Sequence, residues 1–186
     1  MRTKNSKVRL VKITSSKDPL LAQVPELYET AFPPVARIAS HNLLALIDER
    51  PEVSFNAITH HGEFCGMAMV WELGDFRYFE YFAMMPGCRN RGFGARALKQ
   101  LLQQSDLPVV GEAEPPESEL QKRRIAFYLR NGFHVELENP RILNGYHSDN
   151  LLYFLSSRPL ADADECQRQI IEKVYKVMRD KEQSNP

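Results

Sequence analysis

The stretch "RNRGFG", residues 89–94, stands between "FRYFEYFAMM" (76–85) and "ARALKQLLQQ" (95–104). The first flank is aromatic and strand-like, and the second has apolar residues at helical spacing. A strand-to-helix turn with two arginines and two glycines has a direct physical reading. A helix N-terminus carries unpaired N–H donors and roughly half a positive charge. Glycine at 92 and 94 removes the Cβ atoms that would hold a phosphate away from those donors. Arg89 and Arg91 add charge-assisted hydrogen bonds to an anion. The turn is a candidate anion cradle, and the rest of the chain has to say for which anion.

Three patterns compete for it. The plainest is a tight turn with solvated arginines. The second is a dinucleotide fingerprint, since "GFGARA" (92–97) matches G-x-G-x-x-A and Glu112 lies near the downstream acid. That fold puts its first glycine directly after the strand and opens a series of βα units. Here "PGCRNR" intervenes and a hairpin precedes. The third is a pyrophosphate cradle of the form Arg/Gln-x-x-Gly-x-Gly, filled in register by Arg89, Gly92 and Gly94.

Upstream, "VRLVKIT" (8–14) predicts a first strand, and Pro25 opens a helix over 26–32. A second helix is expected over 36–50, ending before Pro51. "VSFNAITHHGEFCGMAMVWEL" (53–73) reads as a hairpin turning at "HHGE", and 76–85 is the fourth strand. Downstream, "PVVGEAE" (108–114) is a short strand. Ser118 caps a helix that stops at Gly132. Strands follow at 133–139 and 150–157, joined by a Pro/Asn/Gly loop, and an amphipathic helix closes the chain at about 162–182. Its apolar stripe, Ile170, Ile171, Val174, Tyr175 and Met178, either covers a sheet face or pairs two subunits as a homodimer. Parallel pairing is expected only where a helix crosses over, within 76–138.

With 186 residues, the chain fits one domain. Lys plus Arg equals Asp plus Glu at 24 each, so no global field favours nucleic acid or a membrane surface, and any anion site is local. Cys65, Cys88 and Cys166 show neither zinc nor CxxC spacing, so no metal is expected. Scattered thiols, the lack of a long apolar run and a basic N-terminus without a signal-peptide core together predict a soluble cytoplasmic protein.

Over residues 76–133 the chain resembles the GNAT family of N-acetyltransferases. "EYFAMMPGCRNRGFG" is similar to that family's strand–Pro–loop block, and "RRIAFYLRNGF" (123–133) to its second block. The resemblance implies an α/β fold with a mixed, mostly antiparallel sheet of about seven strands, splayed between strands 4 and 5. It also implies that acetyl-CoA is the co-substrate, its pyrophosphate in the loop formed by Arg89, Asn90, Arg91, Gly92, Phe93, Gly94 and Ala95. Its pantetheine arm would lie along the backbone of Phe82, Ala83 and Met84. Tyr128 falls where the family often has a general acid for the leaving thiolate. One departure is Gln121, where many members carry an Asn.

The base that takes the amine proton has two candidates. Glu80 lies inside the aromatic strand, on the face of Phe82 and Met84 by period-two alternation, where burial would raise its pKa. Glu112 lies in the fifth strand, across the splay. None of the five histidines is assigned a role. The acceptor is expected to be a primary amine of a small molecule or peptide. The rival reading is a non-catalytic acyl-CoA-binding or sensing module on the same fold.

Overall fold

The computed structural model describes residues 8–136, 141–144 and 149–184. Seven strands form one sheet in the order β1 (Val8–Ile13), β2 (Val53–His60), β3 (Glu63–Glu72), β4 (Arg77–Met84), β5 (Val109–Ala113), β8 (Asp149–Ser156) and β6 (His134–Val135). An eighth strand, β7 (Arg141–Asn144), pairs with β8. Among the described residues only β4 and β5 pair in parallel, and every other pairing is antiparallel.

The hairpin joining β2 to β3 turns on His61 and Gly62, with φ of 55° and 87°. Two successive positive φ values are what a tight two-residue hairpin turn requires. Helices α1 (Val24–Ala31) and α2 (Ser40–Glu49) follow β1 and cover one face of the sheet. Helices α3 (Phe93–Leu102) and α4 (Glu119–Arg130) lie on the other. The crossover through α3 produces the parallel β4–β5 contact. The crossover through α4 does not, because β8 is inserted between β5 and β6.

The chain ends in α5 (Ala163–Ile170), a π-helical turn at Ile171–Tyr175, and α6 (Lys176–Ser184). Ile170, Val174, Tyr175 and Met178 are buried beside Trp71 and Phe154, so the apolar stripe is taken up by the sheet of its own chain. Cys65 and Cys88 are unbridged thiols in contact, their sulfurs 2.8 Å apart.

Two expectations need correction. Residues 36–39 do not join α2 in one helix: Ala36 ends a 3₁₀ turn (Pro34–Ala36), 37–39 are non-helical, and α2 starts at Ser40. Their backbone groups are claimed from a distance instead: Tyr81 Oη donates to the Ala36 carbonyl, Tyr28 Oη accepts from the Ile38 N–H, and Glu182 Oε2 accepts from the Ala39 N–H. Likewise, β7 occupies part of the segment expected as a loop, where pairing with β8 outweighs a turn-like composition. Of the strand expected over 133–139, His134 and Val135 are paired, and 137–139 lie outside the described residues.

Candidate active site

The parallel pairing of β4 with β5 lasts three rungs: Arg77 with Val109, Tyr78 with Val110 and Phe79 with Gly111. Beyond Phe79, β4 runs on to Met84 with partners only on its β3 side. Its other edge, through Phe82, Ala83 and Met84, carries backbone groups that no strand engages. The sheet is therefore splayed at this point. A cavity of about 800 Å³ occupies the gap and extends to both faces.

The mouth of the gap is built by the loop before α3. Gly92 sits at the N-cap with φ 72°, and Asn90 also has positive φ, 58°. The left-handed region is open to glycine and tolerable for asparagine, so this loop can turn its N–H groups inward. A Cβ at Gly94 would meet Met84 Cγ at 3.5 Å and Phe82 Cε1 at 3.5 Å, which are ordinary contacts. Arg89 Nε donates to the Met84 carbonyl at 2.9 Å, tying the loop to the end of β4. Asn90 Oδ1 accepts from Arg123 on α4 at 3.2 Å. Phe93 is buried and stacked on His60, so it anchors the loop by its ring. Arg91 lies over that ring, 4.6 Å from its centroid, and does not border the cavity. Every other loop residue singled out in the sequence borders it, Phe93 among them. No residue of α4 is fully buried, because the helix runs beside this open slot.

Gln121 is otherwise engaged. It forms a capping box with Ser118, its Oε1 accepting from the Ser118 N–H at 2.7 Å.

Glu80 and Glu112 occupy equivalent places, each the first residue beyond the last paired rung. Between β3 and β4 the register jumps, with Met69 opposite Tyr81 and Val70 opposite Phe79, which leaves Glu80 as the extra residue of a β-bulge. The bulge turns Glu80 toward Trp71 and the core under α1 and α2, whereas Phe82 and Met84 point to the α3 side. Period-two alternation put Glu80 with Phe82 and Met84; the extra residue reverses its face. Trp71 Nε1 donates to Glu80 Oε2 at 2.5 Å. Tyr78 Oη donates to Glu112 Oε2 at 2.9 Å, and Tyr175 Oη donates to the same oxygen.

Burial pushes the Glu80 carboxyl up to about 8, with the charge of Glu112 adding to the rise and the Trp71 bond opposing it. Burial also pushes Glu112 up to about 7, against the bonds from Tyr175 and Tyr78. On the other side of the gap, Tyr128 packs edge-on to Phe79 and Phe133, and its hydroxyl has no hydrogen-bond partner among the described residues. Burial pushes that phenol up to about 12, with Arg124 opposing.

Tyr175 and the loop after α1 were not singled out in the sequence. Tyr175 was counted in an apolar stripe, although its hydroxyl was a signal: a buried Tyr needs a polar partner for its tip. Phe32, Pro33 and Val35 form an apolar rim on the α1 side. Among the described residues no group of His, Cys, Asp or Glu could hold a metal ion, and no helix is long and apolar enough to cross a membrane.

The sequence model of the acetyltransferase (GNAT) family matches residues 21–133. No curated protein matches the sequence significantly. Among solved structures, the chain is similar to one described as a GNAT-family acetyltransferase from Bacteroides thetaiotaomicron. The TM-score is 0.81 at 27% identity, covering 90% of this chain and 98% of that one. The fold is also shared with the ribosomal-protein-S18-alanine N-acetyltransferase of Escherichia coli, with TM-score 0.61, 15% identity and coverage of 85% and 98%. An aminoglycoside 6'-N-acetyltransferase complexed with coenzyme A aligns with TM-score 0.60 at 13% identity, covering 83% and 99%. A family match over more than half of the sequence, joined to a sheet that opens between β4 and β5 above a glycine loop, settles the classification: the chain belongs to the acetyltransferase (GNAT) family.

Proposed function

We propose that the protein is an N-acetyltransferase that moves an acetyl group from acetyl-CoA to a primary amine. The observation that carries this reading is the splay. One cavity holds a free strand edge, a helix N-terminus on a glycine loop, two buried carboxylates and a tyrosine.

The residues fit acetyl-CoA. The N–H groups at the start of α3 and the Arg89 guanidinium suit a pyrophosphate. The free edge of β4 at Phe82, Ala83 and Met84 suits an amide-bearing arm by strand-like pairing. Bound acetyl-CoA supplies a thioester, whose C–S bond breaks as the C–N bond to the acceptor forms.

The acceptor amine must shed protons to attack. Glu80 is the stronger base of the two carboxylates, since the two hydroxyls that donate to Glu112 hold its pKa below that of Glu80. Glu80 takes the proton directly or through one water. Tyr128 stands on the opposite side of the gap and gives its phenolic proton to the departing sulfur. Protein groups thus flank both ends of the transfer, and the narrow gap fixes the reactants in line.

Calorimetry with acetyl-CoA, followed by CoA release against a panel of primary amines, tests this. Binding with amine-dependent CoA release is the expected result. Binding with no release from any amine would identify a CoA-binding module instead. An absence of acetyl-CoA binding would remove both readings.

A further inference from the structure

Cys65 and Cys88 are 23 positions apart and belong to different elements, yet two local irregularities bring their sulfurs to 2.8 Å. The first is a β-bulge. Between β2 and β3 the register passes from Ile58 opposite Gly66 to Thr59 opposite Phe64, which leaves Cys65 as the extra residue. Plain alternation along β3 would set Cys65 with Met67 and Met69, in the core under α1 and α2. The bulge turns it to the α3 side, beside Phe93 and Ala97. The second is a 3₁₀ turn, Pro86–Cys88, which folds the chain back against β3 after the end of β4. The backbone holds this turn in place. The Met85 N–H donates to the Cys65 carbonyl at 2.9 Å, and the Cys88 N–H donates to the Met85 carbonyl at 2.9 Å.

The two thiols differ in access. Cys65 is 4% exposed, whereas Cys88 is half-buried, stands between the exposed Gly87 and Arg89, and borders the cavity. A reagent in solvent therefore meets Cys88 first. Burial pushes the Cys65 thiol up to about 12, with its contact and charge interaction with Cys88 adding to the rise and Arg91 opposing it. Once Cys88 is bonded to another sulfur it carries no charge, so one cause of that rise is gone while Arg91 remains. Cys166 lies apart from both, packed against the core on the other face of the sheet. A disulfide bond is about 2.0 Å long, so closing the pair takes an approach of less than about 1 Å. Cys65 belongs to a strand paired on both sides and Cys88 to a loop, so Cys88 makes most of that move and Arg89 follows it.

We propose that Cys65 and Cys88 form a modification site, a dithiol that a low-molecular-weight disulfide oxidises to an intramolecular bond at the root of the loop before α3, and that this bond weakens the loop's hold on acetyl-CoA. The Cys88 thiolate attacks one sulfur of the reagent, RSSR, forming Cys88–S–S–R and releasing RS⁻. The Cys65 thiolate then attacks Cys88 Sγ, forming the Cys65–Cys88 bond and expelling the second RS⁻. The protein loses two electrons and two protons, and the reagent takes them up as two RSH. Arg89 joins this loop to the Met84 carbonyl, and Gly92 opens α3 three residues later. A displacement at Cys88 therefore reaches the groups that would face a pyrophosphate. By linkage, bound acetyl-CoA disfavours the disulfide by the same factor. The thiol chemistry stands on the two sulfurs alone, and its effect on the donor rests on the acetyltransferase reading above.

The test incubates the folded full chain with glutathione disulfide, quenches it, and then counts free thiols and maps any bond by mass spectrometry. Two of the three cysteines should be lost as a Cys65–Cys88 bond, and dithiothreitol should restore them. Cys65→Ser should stop at a glutathione adduct on Cys88, and Cys88→Ser should form no bond. Calorimetry should find acetyl-CoA at least about fivefold weaker on the oxidised protein than on the reduced one, with affinity regained on reduction. Saturating acetyl-CoA should raise the ratio of glutathione disulfide to glutathione needed for half-oxidation. Three free thiols after treatment would overturn the proposal, and so would a glutathione adduct on the wild-type Cys88 that Cys65 never displaces. A complete disulfide with unchanged acetyl-CoA affinity would overturn the link to the loop. If the reduced protein binds no acetyl-CoA, the acetyltransferase reading falls, and the thiol count still decides whether the bond forms.

Discussion

The hydroxyl of Tyr175, near the end of the chain, donates to Glu112 Oε2 on β5, across a sequence separation of 63 residues. The π-helical turn at Ile171–Tyr175 places it there. Such turns widen a helix locally and often mark functional positions. The terminal helix therefore does two jobs at once: it covers the sheet and supplies a donor to Glu112 at the splay between β4 and β5.

Tyr175→Phe keeps the ring in the core and removes only this donor. The lost bond is one that lowers the Glu112 pKa, so the carboxyl should rise further above its present value of about 7. Glu112 then carries less charge beside Glu80, the proposed base, whose pKa that charge raises, so the acid limb of kcat/KM against pH should move to lower pH. Pre-steady-state and pH-profile kinetics on any accepted amine would show this. An unmoved limb would make Tyr175 a packing residue.

Gly94→Val is the cleaner probe of the cradle. Gly92 has φ of 72°, so any side chain there strains the backbone by about 1–2 kcal/mol whether or not a phosphate is excluded. Gly94 lies in the first turn of α3, where a Cβ has ordinary room, and the added methyls would reach into the slot. Acetyl-CoA affinity should fall at least tenfold with little change in Tm. Calorimetry alongside thermal unfolding separates the two effects.

The glycine loop at the start of α3 was legible because it is local. A strand, a Pro, a glycine pair and a helix start lie within a single run of sequence, although Arg123 and His60 brace the loop from elsewhere. The opening between β4 and β5 was implied only through a resemblance, and the residues at its fork were half legible. Glu80 and Glu112 were named, but the face of Glu80 was reversed, because a bulge is a property of two paired strands and cannot be read from one. The break before α2, at 36–39, had the same cause. Tyr28, Tyr81 and Glu182 reach it from other elements and take over its backbone groups. Tyr175 was hidden by its position in an apolar stripe, where its ring does belong.

Tyr128→Phe should leave acetyl-CoA affinity nearly unchanged, since the cradle and the β4 edge are untouched. The ring packs on Phe79, Phe127 and Phe133, and those contacts survive the substitution. Loss of a general acid typically costs ~10²–10⁴-fold in rate. A wild-type rate across the pH range would mean that the thiolate takes its proton from water.

Glu80→Gln should change how stability depends on pH. The folded-state pKa of Glu80, about 8, is above the ordinary 4.5, so the native state holds a proton that the unfolded chain has released between those values. Wild-type stability must fall as pH rises through this window, by at most about 1.4 kcal/mol per pH unit from this one group. Glutamine cannot ionise, so the variant should gain on the wild type from pH 5 to pH 8 and hold a constant lead above it. Thermal melts at pH 5, 6.5 and 8 would show whether the gap widens.

The bulge that presents Glu80 is one residue too many for the ladder between β3 and β4. Deleting that residue would return the strand to plain alternation and regular pairing, so the sheet itself would be mended. The same edit would remove a carboxylate from the fork. Repair of the scaffold and loss of the chemistry are thus a single genetic step. A laboratory evolution experiment that rewards heat resistance alone, with no demand for turnover, would find that step open to it, and deletions at position 80 are the scar to look for.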